Sequence, residues 1–157
     1  SDCEILDFNL NEDIPTNEVR DRLNAVMPYG MKIISVAEQK RKVTAITNAE
    51  YSFSLVSDNP DLLMNDIESI INQEQILIEK KTKKGVKTVD IKPDMKIISC
   101  EIAEKSVDMV MRLPAGTQTN YNPSLFFEAL KNASDMSFET AKIRRTGIFC
   151  ENNEIFS

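Results

Sequence analysis

The chain has 157 residues, of which 41% are hydrophobic and 28% charged, so it is long enough to bury a core of its own. Its formal net charge of −6 argues against broad, non-specific coating of nucleic acid, and no apolar run approaches the roughly 18 residues that a membrane-spanning helix needs. There is no histidine, no CxxC pair and no glycine-rich phosphate-binding motif, so we predict no catalytic, cofactor-binding or metal-binding residue.

The first 38 residues have the pattern of a β-α-β unit. Residues 3–10 and 31–37 are rich in apolar and β-branched side chains, which favours strands, and the helical periodicity between them ends at Pro28. We therefore predict a partial β-α-β unit over residues 1–38, half of a truncated ferredoxin-like domain. Residues 39–47 are polar and basic, and we predict a connector there.

Residues 48–157 have the element order of a ferredoxin-like domain with one additional hairpin. Asn-Pro pairs at Asn59 and Asn122 predict two helix starts, because proline is tolerated at the first helical position. Alternating apolar residues predict the strands, in the order β-α-β-β-β-β-α-β. The predicted fold class is therefore α+β: a ferredoxin-like antiparallel sheet with an extra β-hairpin, preceded by the partial unit.

The predicted hairpin, residues 76–93, carries a charge opposite to that of the whole chain. Lys84-Gly85 predicts a two-residue turn, because glycine supplies the positive φ that such a turn requires. This turn pairs Ile78 with Ile91 and places the apolar side chains on one face. Between Glu79 and the end of the hairpin, six lysines stand against two acids, a net charge of +4. The six are Lys80, Lys81, Lys83, Lys84, Lys87 and Lys92.

Two interpretations of this basic hairpin are open. Its lysines can form a solvated edge that discourages aggregation, or they can contact phosphate or an acidic partner. Arg144 and Arg145 are candidate contacts on the last predicted strand, where they point to opposite faces: one can extend a basic surface, and the other can be an ordinary edge residue or pair with a buried acid. The loop residues Thr117, Thr119 and Asn120 precede a helix start, where free backbone N–H groups can bind an anion.

Four segments resemble one bacterial family. They are the helix and turn over residues 22–31, the lysine-rich stretch over residues 79–93, the loop and helix over residues 116–130, and the strand over residues 143–146. Together they are similar to the radical-SAM-linked family called domain of unknown function 2344. Members of that family usually carry a further N-terminal region, so we expect this chain to correspond to the C-terminal part of the family, with that region missing.

The resemblance implies a bacterial accessory of a radical SAM enzyme. Such a partner, fused or separate, carries an iron–sulfur cluster, S-adenosylmethionine and cobalamin, whereas this chain is expected to hold no cofactor. A recurrent gene neighbourhood with ribonucleases implies a connection of the family to RNA. Three isolated cysteines fit reduced thiols, and we expect a cytoplasmic location.

Three functions are compatible with these residues. In the first, the chain binds tRNA or rRNA through the basic hairpin and presents it to the radical SAM protein. In the second, it is a protein–protein adaptor that docks the radical SAM enzyme without RNA contact. In the third, it is half of an RNA-modifying enzyme. We favour the first, expect no catalysis from this chain alone, and expect no membrane partner.

Overall fold

The computed structural model describes residues 1–82, 85–134 and 137–156. These residues divide into two compact units. Ile5–Val43 form the smaller unit, and Ser1–Glu4 together with Thr44–Phe156 form the larger one. Among the described residues, no helix is both long enough and apolar enough to cross a membrane.

The smaller unit contains one helix, α1 (Thr16–Val26), which the sequence predicted. The strands predicted on either side of it, over residues 3–10 and 31–37, do not occur in the described structure. In the second case the Asn24 side chain bonds the backbone of one residue of the predicted strand: its Nδ2 donates to Ile33 O at 3.0 Å and its Oδ1 accepts from Ile33 N at 2.8 Å. A side-chain amide thus occupies the backbone groups that a strand partner would need. The predicted partial β-α-β unit is correct in its helix and wrong in its two strands.

The larger unit contains six strands and two α-helices among its described residues. In chain order they are β1 (Ile46–Val56), α2 (Pro60–Ile71), β2 (Leu77–Thr82), β3 (Gly85–Asp90), β4 (Lys96–Ile102), β5 (Ser106–Pro114), α3 (Ser124–Ala133) and β6 (Glu139–Cys150). Four strands form an antiparallel sheet in the order β4-β5-β1-β6, and β2 pairs with β3 as a separate hairpin. The α+β prediction is confirmed, with the hairpin inserted between α2 and β4 of a ferredoxin-like order.

Asparagine side chains define the starts of both helices of the larger unit. The Asn59 Oδ1 atom accepts a hydrogen bond from Leu62 N at 3.1 Å, and Pro60 is the first helical residue of α2. The Asn122 Oδ1 atom accepts from Ser124 N at 2.9 Å, at the start of α3. Each bond satisfies a backbone donor that has no partner within the helix, so both starts follow from local sequence.

One face of the sheet, both helices and the base of the hairpin share a single core. Phe53 of β1 meets Phe127 of α3 edge to face, with the ring centroids 4.8 Å apart. The hairpin contributes Ile76, Ile78 and Ile91, each less than 5% exposed, to the same cluster. Full burial of one such side chain is worth about 1.5–3 kcal/mol, so the core fixes the base of the hairpin in place.

The hairpin has the predicted faces but not the predicted register. Ile78 pairs with Val89 rather than with Ile91, a displacement of two residues. Because side chains alternate with a period of two, this displacement leaves every side chain on the same face, and the apolar pattern does not distinguish the two registers. Gly85, predicted to lie in the two-residue turn, is instead the first residue of β3 and pairs with Thr82, so the turn prediction is wrong at this residue; Lys84 lies outside the described residues.

Candidate functional site

The distal part of the hairpin, residues 80–87, holds five lysines and no acidic residue, and we call it the basic tip. Lys81 and Lys87 are exposed, and neither side chain has an ion pair or hydrogen bond with a described residue. Lys83 and Lys84, also predicted contacts, lie outside the part of the chain that the structure describes. The described part of the basic tip therefore presents un-neutralised positive charge to solvent.

Asp90, the acidic residue of β3, lies at the base of the hairpin and has a structural role. The Asp90 Oδ1 atom accepts from Ile76 N at 2.9 Å and from Lys92 N at 3.0 Å, and Ile91 N donates to Ile76 O at 3.0 Å. The predicted contact residue Lys92 is half-buried, and its Nζ donates to the carbonyl of Ile71 at the end of α2. A cation is favourable at that end of a helix, so Lys92 stabilises the junction rather than belonging to the basic tip.

Lys80 links the hairpin to the loop before α3. Lys80 is half-buried. Its Nζ atom lies 2.6 Å from the backbone carbonyl oxygen of Asn120 and 4.9 Å from the ring centroid of Tyr121. The structure thus brings together two predicted candidates, Lys80 and Asn120. At this contact the loop presents a carbonyl oxygen to the Lys80 ammonium group, whereas the sequence analysis expected it to present N–H groups to an anion. Thr117 is exposed and Thr119 half-buried in the same loop.

Tyr121 forms an apolar surface beneath the Lys80 ammonium. Burial raises the pKa of the Tyr121 hydroxyl, and a hydrogen bond with the Asp94 side chain raises it further. The phenol therefore stays neutral through the physiological range. A neutral ring within about 6 Å of an ammonium attracts it through the ring quadrupole, which helps to hold Lys80 in position.

A cleft of about 350 Å³ opens beside Lys80, between β2 and the start of α3. Ligand sites commonly have volumes of about 300–1,000 Å³, so the cleft has room for a small polar group. Its lining balances two cations against two carboxylates and adds two amides: Glu79, Lys80, Lys81, Asn120, Asn122, Leu125 and Glu128. No set of three or more metal-ligating side chains occurs within the described ranges. The cleft is polar and open to solvent.

Arg144 and Arg145 pair with acidic residues at the other end of the chain. Arg144 Nε lies 3.0 Å from Asp2 Oδ1, and Arg144 Nη2 contacts the same oxygen. Arg145 Nη1 lies 2.8 Å from Glu4 Oε2. Both arginines are therefore occupied, and no described contact joins them to the basic tip.

Sequence patterns did not identify Asp2 and Glu4 as partners of the two arginines, or Asn122 and Glu128 as cleft residues. The sequence offers one signal for the first two: acids at positions i and i+2 share a face when a segment is extended, and so suit a basic strand. No local signal identifies Asn122 and Glu128 as cleft residues, because the cleft is formed by packing of α3 against a hairpin about forty residues earlier.

The family described as "Uncharacterized protein conserved in bacteria (DUF2344)" matches residues 1–123, which include the hairpin and the loop before α3. No curated protein and no solved structure matches the chain. The match confirms the resemblance to the domain of unknown function for the segments over residues 22–31 and 79–93; the segment over residues 143–146 lies outside it.

Proposed function

This chain belongs to that bacterial family of uncharacterized proteins, and on this premise we propose that it is an RNA-binding module that holds tRNA or rRNA by its phosphate backbone. One observation carries the proposal: Lys81 and Lys87 are exposed and unpaired with any described residue, at the end of a hairpin whose base is fixed in the core. A rigid base with a charged, solvent-facing end suits contact with a large polyanion.

Backbone contact fits these residues better than base recognition. Recognition of single-stranded bases commonly uses aromatic side chains as stacking platforms, and the basic tip contains none. Lysine ammonium groups act as point charges on phosphate and release the counterions that surround it. The chain outside the basic tip is strongly acidic, since the total is −6 despite five lysines in the tip. Repulsion from that remainder directs a polyanion to the hairpin.

The proposed role is to present the RNA rather than to modify it. In the bacterial cytoplasm, a radical SAM protein, fused or separate, would supply the iron–sulfur cluster, S-adenosylmethionine and cobalamin for the chemistry. Two features support this role: the family resemblance, and a cleft beside the basic tip that combines amides, two lysines and two glutamates. The contribution of this chain would be to bind and orient the substrate.

A binding titration with bulk tRNA and rRNA, at about 50 mM and about 200 mM salt, tests the proposal. In a Lys81/Lys87→Gln variant, the slope of log Kobs against log salt should become less steep by about 1.4, the loss of two single-strand phosphate contacts. Lys96/Lys105→Gln is the matched control, because both lysines are exposed in the same unit and the charge change is equal. Replacement of Lys83, Lys84 and Lys87 together by Glu should abolish binding.

Two results would contradict the RNA proposal. An equal loss of slope in the variant and in the control would mean that net charge, rather than the basic tip, sets the affinity. Absence of binding at about 50 mM salt would remove the polyanion function.

A second candidate function, a protein–protein adaptor, rests on strand β4. This strand is at the edge of the sheet, and Ile98 and Ile102 on it are 44% and 48% exposed. Exposed edge strands can add a strand from a partner. The adaptor predicts co-purification with a radical SAM protein that survives nuclease treatment and is lost on Ile98→Lys, whereas loss of the complex on nuclease treatment counts against it.

A further inference from the structure

The hairpin has an unpaired edge along β2. Its two strands form a sheet of their own, so each strand has one edge without a strand partner among the described residues. The backbone bond from Ile91 N to Ile76 O sets the alternation of the ladder, because paired residues exchange hydrogen bonds at every second position. Glu79 and Lys81 are therefore at the positions whose N–H and C=O groups point away from β3. We call these groups the free edge, and no hydrogen bond to a described residue occupies them.

The cleft beside Lys80 lies along the free edge. Residues 79–81 all line it, and since consecutive side chains of a strand point to opposite faces, the cleft follows the edge of β2 rather than one of its faces. Its other wall is formed at the start of α3, where Leu125 and Glu128 are three residues apart and share one side of the helix. An exposed strand edge accepts an extended peptide as an additional strand, and a neighbouring wall supplies contacts for its side chains.

We propose that the free edge binds an extended acidic peptide of a partner protein, which pairs with Glu79 and Lys81 as an additional strand in the cleft. The inference goes beyond RNA binding by the basic tip and does not rest on it. It assigns the hairpin a second ligand of different chemistry. A peptide fits the free edge because its own N–H and C=O groups repeat at the spacing of a strand, which those of a nucleic acid do not.

The side chains along this edge define the chemistry of the peptide. Lys80 and Lys81 point to opposite faces of β2, so an added strand meets one lysine on each face, and acidic residues at two consecutive positions match both. Lys80 remains available because its ammonium group has three donors, of which the bond to Asn120 O uses one. Leu77, at the inner end of the same edge, is 58% exposed and suits an apolar residue. A basic or neutral strand gains nothing from the lysines, so the edge favours acidic segments.

The test uses the full chain and the fluorescein-labelled heptapeptide Gly-Glu-Glu-Val-Thr-Val-Gly, with fluorescence anisotropy as the readout. In an antiparallel added strand, its two glutamates lie opposite Lys81 and Lys80, and its second valine lies opposite Leu77. The peptide Gly-Lys-Lys-Val-Thr-Val-Gly is the charge control and should bind at least about tenfold more weakly. Methylation of the first valine nitrogen removes the donor to the Glu79 carbonyl and should also weaken binding about tenfold. Equal binding of the methylated and unmethylated acidic peptides overturns the inference, because charge alone then explains the affinity.

Glu79→Pro removes one N–H group of the free edge and should weaken peptide binding about tenfold. Proline is tolerated at an edge position whose N–H faces solvent, so the pairing of β2 with β3 is kept. Thr88→Pro is the matched control, because Thr88 pairs with Glu79 and its N–H points to the opposite edge of the hairpin. An equal loss in both variants, or no loss in the Glu79 variant, overturns the inference. Circular dichroism checks the fold of each variant, and the methylated peptide decides if Glu79→Pro does not fold.

Hydrogen exchange distinguishes a peptide from RNA at this edge. The Glu79 and Lys81 amides have no acceptor among the described residues, so they exchange rapidly in the free chain, and the acidic peptide at saturation should slow both at least about tenfold. Unchanged exchange overturns the inference, and so does slowing by oligouridylate but not by the peptide. Failure of the proposed function gives a different result: RNA binding is then insensitive to Lys81/Lys87→Gln, while Glu79→Pro and Thr88→Pro still differ in peptide affinity.

Discussion

Arg112 and Glu50 face each other across β5 and β1, with Arg112 Nε and Nη2 at 3.1 and 2.9 Å from Glu50 Oε2. The guanidinium carbon also lies 3.7 Å from the ring centroid of Phe149 on β6, and Nη1 donates to Asn153 Oδ1 at 2.9 Å. A single arginine therefore connects three strands on the sheet face opposite the core. Both charged side chains of the pair are about one-fifth exposed or less, so the pair is largely shielded from water.

Glu50→Gln should lower the free energy of unfolding by about 1–3 kcal/mol, because it leaves the shielded Arg112 cation without a counter-charge. Urea unfolding followed by circular dichroism measures the effect. Glu104→Gln, at an exposed position between β4 and β5, is the control and should change the value by less than about 0.5 kcal/mol. Equal effects of the two substitutions would show that the Glu50 contact contributes nothing specific.

Asp90→Ala should loosen the base of the hairpin, because Ile76 N and Lys92 N both lose their acceptor. We expect a loss of about 2 kcal/mol in the free energy of unfolding, together with faster hydrogen exchange at these two amides. Thr88→Ala, on the exposed face of the same strand, should leave both exchange rates unchanged. If the Ile76 amide exchanges at the same rate in the Asp90 variant as in the parent chain, the hydrogen bond from Ile76 N to the Asp90 side chain does not protect the base of the hairpin.

Cys100 should make stability fall at alkaline pH. Burial, together with the nearby negative charges of Glu68 and Glu101, raises the pKa of its thiol from 9.0 to about 11. Above about pH 9 the unfolded chain loses this proton while the folded chain keeps it, so the unfolded state binds fewer protons. The contribution of the protonated Cys100 thiol to the free energy of unfolding is therefore fully present below about pH 9 and is lost as the pH rises towards 11.

Cys100→Ser isolates this contribution, because the serine hydroxyl does not titrate in that range. The free energy of unfolding of the parent chain should decrease more between about pH 8 and about pH 10 than that of the variant. Tyr121, whose pKa is also raised, is present in both chains and cancels in the comparison. Identical pH dependence of the two proteins would contradict the prediction.

Gly147→Ala should destabilise the sheet at its β6 edge. A Cβ atom at this position would lie 2.7 and 2.9 Å from two ring atoms of Phe149, and that ring is also in contact with the guanidinium group of Arg112. Overpacking of this kind costs about 1–3 kcal/mol, measurable by urea unfolding. Phe149→Leu should be less harmful in the Gly147→Ala background than in the parent, and strict additivity of the two changes would argue against the clash.

Elements specified by local chemistry could be predicted from the sequence. The α2 and α3 starts follow from Asn59 and Asn122, whose side chains bond backbone amides two or three residues further along. The faces of the hairpin follow from alternation between Ile76 and Ile91. The hairpin register could not be predicted in the same way, because a displacement by two residues keeps the alternation and only packing distinguishes the two pairings.

Elements that depend on distant contacts could not be predicted. The apolar pattern over residues 31–37 resembles a strand, but a strand requires a partner, and Asn24 satisfies the backbone of Ile33 instead. Sequence chemistry identified Arg145 as a cation and could not reveal that Glu4 lies beside it. The charge of a candidate residue is readable from sequence, whereas its occupancy by a partner is a property of the folded chain.

The hairpin leaves the domain at Ile76 and rejoins it at Ile91, and these two residues are joined by a backbone hydrogen bond. The outer end of such an inserted hairpin can be lengthened, shortened or changed in sequence, one residue pair at a time. The chain still enters β4 along the same path. The buried apolar contacts of the described hairpin lie at the inner end, at Ile76, Ile78 and Ile91, and Lys80 adds one polar contact to Asn120 further out. Ligand preference at the outer end can therefore diverge between relatives, or be exchanged by design, at little cost to the sheet.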